Sequence, residues 1–225
     1  GNPTGKVFTP QELADIASLA IEHDVYVITD EVYEHIVYAP HKHTYIATLP
    51  GMWERTISCS SLSKTYSITG WRLGYIIAPP NIVDAARKVH DFLTVGAAAP
   101  LQEAAVTALD FPESYYADLL KHYTHSRSLF LGLLDEAGLK HTYPQGAYYV
   151  LVDIGEYGAA SDVEFCEWMA AQVGVAAVPG SSFFKEDDQR YIRLHFAKKD
   201  ETLIEAGKRL ARLRDKVSGY TGRRR

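Results

Sequence analysis

Apolar residues recur at helical spacing near the start of the chain. Between residues 13 and 21 they fall on one face of a helix. The apolar positions are Leu13, Ile16, Ala17, Ala20 and Ile21. Thr9 precedes Pro10 and Glu12, an order typical of a capped helix start, because the Thr hydroxyl and the Glu carboxylate can each accept a backbone N–H. The pattern predicts a helix that begins after Thr9.

Three short apolar runs then follow without polar alternation, at residues 25–29, 56–59 and 73–78. Continuous runs of this length are typical of strands covered on both faces. Helix, strand, loop and strand in this order predict an α/β fold with a mostly parallel sheet and flanking helices. Ligands gather at the carboxyl ends of such strands. Asp30 and Lys64 both come just after a predicted strand, which is the first indication of a site.

The pattern changes in the second half of the chain. Helices are predicted at 82–92, 100–110 and 113–137, and Gly138 stands where the last of them should end. A small α+β unit follows. Its predicted elements are strands at 147–154, 175–178 and 191–196, a helix capped by Ser161, and a helix from Asp200. We expect two domains, residues 1–130 and 131–225, with the boundary inside the long helix.

Composition narrows the class of protein. The chain has 225 residues, of which 47% are hydrophobic and 23% charged, so a packed core is expected and disorder is not. A net charge of −5 gives no general attraction to nucleic acid or to an anionic membrane. Two cysteines fit a reducing, cytoplasmic compartment. The histidines have no zinc-like spacing, so no metal is expected.

Lys64 is the first candidate for chemistry. Most lysines are solvated surface charges. Here, however, Ser61 and Ser63 stand close before it and Arg72 follows eight residues later. Hydroxyls and a guanidinium can together bind a phosphate, and a nearby cation favours the neutral amine that a nucleophile requires. The segment therefore supplies an amine nucleophile and phosphate ligands within a few residues.

Asp30, Tyr33 and Asn2 are weaker candidates when each is considered alone. An aspartate after a strand can simply cap a helix, and a tyrosine can simply pack. A carboxylate at the ligand edge of a sheet can instead pair with a protonated heterocyclic nitrogen, with a phenol beside the same ring. Asn2 begins an Asn-Pro-Thr-Gly turn, from which its amide could reach a ring oxygen.

Arg193 leaves two interpretations equally open. It lies in the predicted strand at 191–196, where it shares one face with His195 while the apolar residues take the other. Plain amphipathic alternation explains this pattern. An inward arginine that binds a carboxylate explains it as well.

Four segments together resemble the class I/II aminotransferases of the aspartate aminotransferase superfamily, which have pyridoxal-phosphate fold type I. The segments are Asn-Pro-Thr-Gly at 2–5, Asp-Glu-Val-Tyr-Glu at 30–34, Ser-Leu-Ser-Lys-Thr through Gly-Trp-Arg-Leu-Gly at 61–74, and Arg-Leu-His-Phe-Ala at 193–197. Their order and spacing match from residue 2 to about residue 215. The resemblance implies the carboxy-terminal part of the large cofactor domain, followed by the small domain.

The resemblance also implies a role for each candidate. Lys64 would carry pyridoxal 5'-phosphate as a Schiff base and serve as the catalytic base. The other cofactor-binding residues would be Asp30 at the ring nitrogen, Asn2 and Tyr33 at the phenolic oxygen, and Ser61, Ser63 and Arg72 at the phosphate. Arg193 would bind the substrate carboxylate, which favours the functional interpretation of this residue.

The implied activity is ping-pong transfer of an amino group between an L-amino acid and a 2-oxo acid by a homodimer. Relatives carry a long segment before the point where this sequence opens, so the activity is assigned to a parent protein and the fragment alone is expected to be weak or inactive. Two alternatives stay open at this stage. One is a carbon–sulfur β-lyase on the same scaffold, and the other is the aminotransferase-like sensor domain of a transcription regulator.

Overall fold

The computed structural model describes residues 1–185, 188–218 and 220, which form two compact units. Val7–Leu120 make one unit. Gly1–Lys6 group with the described residues from Lys121 onward to make the other. The domain boundary expected near residue 130 stays a prediction. Within the described part of the chain, no helix is long and apolar enough to span a membrane.

The unit Val7–Leu120 contains a three-stranded sheet with the order β1-β2-β3. β1 and β2 run parallel, whereas β3 runs antiparallel to β2. In chain order its elements are α1 Pro10–Glu22, β1 Val27–Asp30, β2 Thr56–Ser61, α2 Leu62–Thr65, β3 Gly74–Ile77, α3 Pro80–Leu93 and α4 Ala99–Leu109, followed by the start of α5 Glu113–Glu136. Each predicted helix and strand of this region is present within a few residues of its expected bounds.

The start of α1 confirms the predicted capping box. Thr9 Oγ1 accepts a hydrogen bond from the Glu12 N–H at 3.2 Å, and Glu12 Oε2 accepts one from the Thr9 N–H at 2.8 Å. The buried face of α1 packs on the segment between β1 and β2, where the apolar contacts are made by Leu13, Ala17, Ala20, Ile46 and Met52. This helix covers the sheet face that carries Val27.

The prediction that the strands are covered on both faces is wrong for β1 and β3 in this chain. Ile28 is 70% exposed, and all four residues of β3 are exposed. Ile28 and Val27 alternate across the sheet, so the face opposite α1 carries Ile28. The apolar runs therefore predicted the strands correctly. They did not predict the burial of the strand side chains, which depends on neighbouring layers of structure.

The other unit is built on an antiparallel sheet with the order β4-β6-β5. Its elements are β4 Tyr149–Asp153, α6 Asp162–Gln172, β5 Val178–Pro179, β6 Tyr191–His195, α7 Asp200–Leu210 and α8 Leu213–Val217. As predicted, Ser161 caps α6, since its Oγ accepts the Glu164 N–H at 3.3 Å. The core contains Phe130, Leu134, Phe165, Ile192, Phe196, Leu203 and Leu210.

The prediction of a strand at 175–178 is wrong for most of its length. Only Val178 and Pro179 pair with β6, opposite Arg193 and Ile192. Proline has no N–H to donate, so it cannot extend the ladder. Gly180 follows, and a Cβ at that position would lie 2.3 Å from the Tyr191 carbonyl oxygen. Residues 175–177, before Val178, have no regular secondary structure.

We expect Thr9→Ala to destabilise the chain by about 1 kcal/mol, because it removes the side-chain acceptor of a helix N-cap. Urea unfolding followed by circular dichroism measures the change. Thr107→Ala, at an exposed position inside α4, is the matched control and should leave stability unchanged or slightly higher. Equal losses in both variants would contradict the capping interpretation.

Candidate active site

Lys64 lies on α2, a single helical turn that follows β2 directly. Ser61 is the N-cap of this turn, and its Oγ accepts the Ser63 N–H at 3.1 Å. The Leu62 N–H donates to the Leu73 carbonyl at 3.3 Å, which ties the turn to the segment before β3. Lys64 itself is half-buried. The strand therefore places an amine immediately beyond its carboxyl end.

Asp30 is the last residue of β1, and it pairs with Cys59 in the parallel register with β2. Its Oδ1 accepts the Val32 N–H at 3.1 Å, while the Glu31 N–H donates to the Cys59 carbonyl at 2.7 Å. Tyr33 is half-buried in the turn that follows. Because two parallel strands end at the same sheet edge, the predicted ligand of the ring nitrogen stands at the edge that also carries Lys64.

Ser61, Ser63 and Arg72 come from two segments that the structure holds together. Ser61 Oγ donates to the Leu73 carbonyl at 2.9 Å and lies 2.6 Å from Ser63 Oγ. Arg72 directly precedes Leu73, and its Nη1 donates to the Thr69 carbonyl at 3.0 Å. Two hydroxyls and a guanidinium are a chemically suitable donor set for a phosphate.

Arg72 adopts a left-handed backbone conformation, with φ 58° and ψ 42°. This region favours glycine, because a Cβ crowds the neighbouring carbonyl there. A long cationic side chain at such a position is uncommon, and strained residues concentrate at functional sites. The observation supports a role for the guanidinium that a glycine could not fill.

Glu31, the residue after Asp30 in the chain, has a buried carboxylate that contacts a histidine. Glu31 is 6% exposed, and its Oε2 lies 2.7 Å from His43 Nε2. Burial raises the pKa of Glu31, but the interactions with His43 and Thr29 together outweigh burial, so the net shift is downward. The pair joins the end of β1 to the loop before Tyr45. The pair was not recognised from the sequence, where the histidines were considered only as possible metal ligands.

Arg193 and Asn2 are brought together in the other unit. Arg193 Nη1 donates to Asn2 Oδ1 at 2.5 Å. The guanidinium carbon stands 4.2 Å from the centre of the Tyr149 ring and 4.5 Å from that of Phe183. Two aromatic rings therefore contact the planar cation that was predicted to bind a carboxylate. Neither ring was singled out from the sequence, because their proximity depends on strand register and on a loop.

The segment that carries Asn2 is attached to the chain by backbone hydrogen bonds. Gly5 has φ 69°, and its carbonyl accepts the N–H groups of Gln145 and Gly146 at 2.8 Å each. A Cβ at Gly5 would lie 2.3 Å from the Cβ of Pro144. Only glycine fits this close approach, which explains the last residue of the Asn-Pro-Thr-Gly motif.

The predicted site residues thus form two groups. Asp30, Tyr33, Ser61, Ser63, Lys64 and Arg72 lie in the unit Val7–Leu120, whereas Asn2 and Arg193 lie in the other. Their assembly into one site stays a prediction. Among the residues that the structure describes, no group of three or more His, Cys, Asp or Glu side chains could hold a metal ion.

Comparison with known proteins decides the family. Residues 1–210 match the family model of aminotransferase class I and II. The chain belongs to this family. It is similar to kynurenine–oxoglutarate transaminase 3 of Mus musculus, with 40% identity over 222 residues that make up 90% of this chain and 49% of that protein. It is 41% identical to the aspartate aminotransferase of Pyrococcus abyssi over 218 residues, 96% of this chain and 56% of that protein.

Solved structures agree with the family assignment. The structure of N-succinyldiaminopimelate aminotransferase from Mycobacterium tuberculosis superposes with a TM-score of 0.90 at 37% identity, over 95% of this chain and 56% of that one. The predicted fold class, pyridoxal-phosphate fold type I, is confirmed, and pyridoxal phosphate is the cofactor of the family. The chain spans about half the length of the curated relatives it matches. Neither the β-lyase nor the regulator alternative is favoured, since these relatives are named as transaminases.

We expect the ionised form of Glu31 to stabilise the fold. A lowered pKa in the folded chain means that this stabilisation is complete above the ordinary value of 4.5 and is lost as the pH falls through the lowered pKa. Glu31→Gln should cost about 1–2 kcal/mol near neutral pH, and the difference from the original chain should shrink in acid.

Urea unfolding over a series of pH values measures this difference. The matched control is Glu22→Gln at the exposed end of α1, for which a small change that does not depend on pH in this way is expected. A loss in Glu31→Gln that is equally large in neutral and in acid solution would show that the charge is not responsible.

Proposed function

We propose that this chain supplies the lysine and carboxylate-binding part of a pyridoxal-phosphate-dependent aminotransferase, which moves an amino group between an L-amino acid and a 2-oxo acid. The observation that carries the proposal is the position of Lys64. It stands one helical turn beyond β2, and the parallel neighbour of β2 ends at Asp30. An amine and a carboxylate at one sheet edge are what the cofactor requires.

The residues that would hold the cofactor would each bind a particular part of it. Lys64 would bind it covalently through a Schiff base, and Asp30 would pair with the ring nitrogen. Tyr33 and Asn2 would donate to the phenolic oxygen. The phosphate would be bound by Ser61, Ser63 and Arg72, whose hydroxyls and guanidinium are the donors described above. When bound, pyridoxal phosphate supplies an electron sink for negative charge on the substrate α-carbon.

Lys64 would then act as the proton carrier. Its Nζ, once free of the cofactor, would take the proton from the α-carbon of the amino acid and deliver it to the C4′ carbon of the cofactor within the first half of the ping-pong cycle. In the second half it would move a proton in the opposite direction, onto the α-carbon derived from the oxo acid. This task requires an amine that is close to the α-carbon and held in a fixed direction. The position of Lys64 on a capped turn meets the second requirement better than a flexible loop would.

Arg193 would hold the α-carboxylate of the substrate. Its planar guanidinium can bind both oxygens of a carboxylate. The contacts with Tyr149 and Phe183 restrict the orientation of that plane, and the hydrogen bond to Asn2 occupies one Nη1 donor. The printed names of relatives include kynurenine, methionine and aspartate as substrates, so for this chain we propose the shared class, an L-amino acid with a 2-oxo acid.

We further propose a homodimer in the cytoplasm. Exposed apolar side chains on β1 and α3, such as Ile28 and Phe92, support burial against further protein surface. Cys59 and Cys166 are both free, in agreement with a reducing compartment. Light scattering of the purified full gene product tests the dimer, and cell fractionation tests the location.

The covalent role of Lys64 has a direct test. We expect borohydride reduction of the full gene product, loaded with pyridoxal phosphate, to leave a pyridoxyl group on Lys64, located by peptide mapping. Lys64→Ala should lose the adduct, and its kcat should fall at least about 100-fold, because a general base is lost. Lys88→Ala, at an exposed lysine of α3, is the control and should retain both.

The products separate transamination from elimination in the same experiment. Consumption of an oxo acid supports the aminotransferase, whereas release of pyruvate and ammonia without an oxo acid would contradict it. An adduct on a different lysine would overturn the assignment of Lys64.

Arg193→Lys should raise the KM for the amino acid about 10- to 100-fold, since a hydrogen-bonded charged contact to the carboxylate is weakened. Arg87→Lys on the exposed face of α3 is the matched control. A primary amine that lacks the α-carboxylate should be bound equally by the original protein and the Arg193 variant. A variant that weakens both ligands alike would show that Arg193 does not recognise the carboxylate.

A further inference from the structure

The helical turn that carries Lys64 is too short to be stable without contacts from other parts of the chain. α2 contains only four residues, Leu62–Thr65, and is closed by the Tyr66 N–H, which donates to the Leu62 carbonyl at 3.2 Å. Helix nucleation is unfavourable, so a single turn is stable only when other groups fix it. The Ser61 cap fixes its first residues, as described above. Its carboxyl end, which bears Lys64, requires separate partners for the carbonyl groups.

Two side chains from outside α2 supply those partners. Thr69 Oγ1 donates to the Ser63 carbonyl at 3.1 Å, and Tyr115 Oη donates to the Thr65 carbonyl at 2.8 Å. Thr69 is a near neighbour in sequence, whereas Tyr115 lies fifty residues later, in the first turn of α5. The bond from Tyr115 is therefore a long-range contact to the residue adjacent to Lys64.

Tyr115 is in turn fixed by a cluster of aromatic rings. Its ring stacks on that of Tyr66, with centroids 5.7 Å apart and an angle of 17° between planes. Phe111 and Tyr116 contact it from other directions, at 4.8 Å and 5.6 Å. Tyr66 Oη and Tyr116 Oη are hydrogen-bonded at 2.7 Å. Rings packed on several sides leave the Tyr115 hydroxyl little freedom to leave the carbonyl.

The Tyr115 hydroxyl is protonated, as a hydrogen-bond donor must be. Burial, followed by the influence of Tyr116, raises the pKa of Tyr115. The phenol therefore keeps its proton throughout the neutral range and remains able to donate to the Thr65 carbonyl.

We propose that Tyr115 is a positioning residue for Lys64, which fixes the turn that carries the amine through its hydrogen bond to the Thr65 carbonyl. This inference rests on the proposed function and deepens it. Tyr115 does not touch the reacting atoms, so its effect on the reaction passes through the main chain of α2. A small displacement of that chain moves a general base relative to the α-carbon, and proton transfer is sensitive to such displacements.

The chain offers a matched pair of variants. Tyr115→Phe removes the oxygen that binds α2 and keeps the ring, whereas Tyr116→Phe removes the neighbouring phenol, which bonds to Tyr66 and not to α2. Both variants lose one hydroxyl from the same cluster. A general loosening of the cluster would therefore affect both, and loss of positioning only the first.

The first measurement is hydrogen exchange of the Tyr66 amide in the full gene product without cofactor, since this amide closes α2. We expect exchange to be roughly tenfold faster in Tyr115→Phe, the ratio that corresponds to one hydrogen bond, and nearly unchanged in Tyr116→Phe. Equal exchange rates in the original protein and Tyr115→Phe would overturn the proposal.

The second measurement is steady-state kinetics of the loaded protein. Tyr115→Phe should lower kcat roughly tenfold and leave the KM for the amino acid nearly unchanged, because the carboxylate ligand is not affected. A rise in KM alone, or an equal fall of kcat in Tyr116→Phe, would contradict a positioning role. If exchange responds as expected but reduction leaves no adduct on Lys64, the hydrogen-bonded turn is confirmed and the proposed function fails, so the two failures are distinguishable.

Discussion

The parallel register between β1 and β2 is the constraint on which the larger group of site residues depends. It pairs Asp30 with Cys59, two residues before Ser61, and so brings a carboxylate to the sheet edge from which α2 begins. Each backbone hydrogen bond in this ladder is modest on its own, but a shift by one residue would turn Asp30 to the opposite face of the sheet. The chemistry of the proposed site thus depends on strand pairing as well as on the side chains themselves.

At this sheet edge, side-chain hydrogen bonds add to the backbone pairing and fix the short turn α2. Ser61 caps α2 and also reaches the Leu73 carbonyl, so one hydroxyl joins the lysine turn to the segment that carries Arg72. Tyr115 performs a similar task at the other end of the turn. Short elements are tolerated at a site of this kind when each exposed backbone group has a partner from elsewhere in the chain. The amine then gains a defined direction without a long helix beneath it.

Local sequence signals predicted the elements well, because helix caps and strand runs are encoded within a few residues. The capping residues Thr9 and Ser161 stand where the sequence placed them. Properties that arise from distant contacts were not predicted. Coverage of Ile28 depends on a layer outside its own segment, and the donor role of Tyr115 depends on a contact across fifty residues. The chain has fifteen tyrosines, and nothing near Tyr115 distinguishes it. The site was proposed chiefly from the resemblance of the sequence to a family. The alternation of polar and apolar residues in the strand could not by itself decide whether Arg193 is functional.

The left-handed conformation of Arg72 has a consequence for anyone who redesigns this chain. A procedure that ranks substitutions by their fit to the backbone would choose glycine here, since it would relieve roughly 1–2 kcal/mol of steric cost. Such a variant would gain stability and lose the guanidinium. Improvement of the scaffold and retention of the proposed phosphate-binding arginine are therefore opposed at this position.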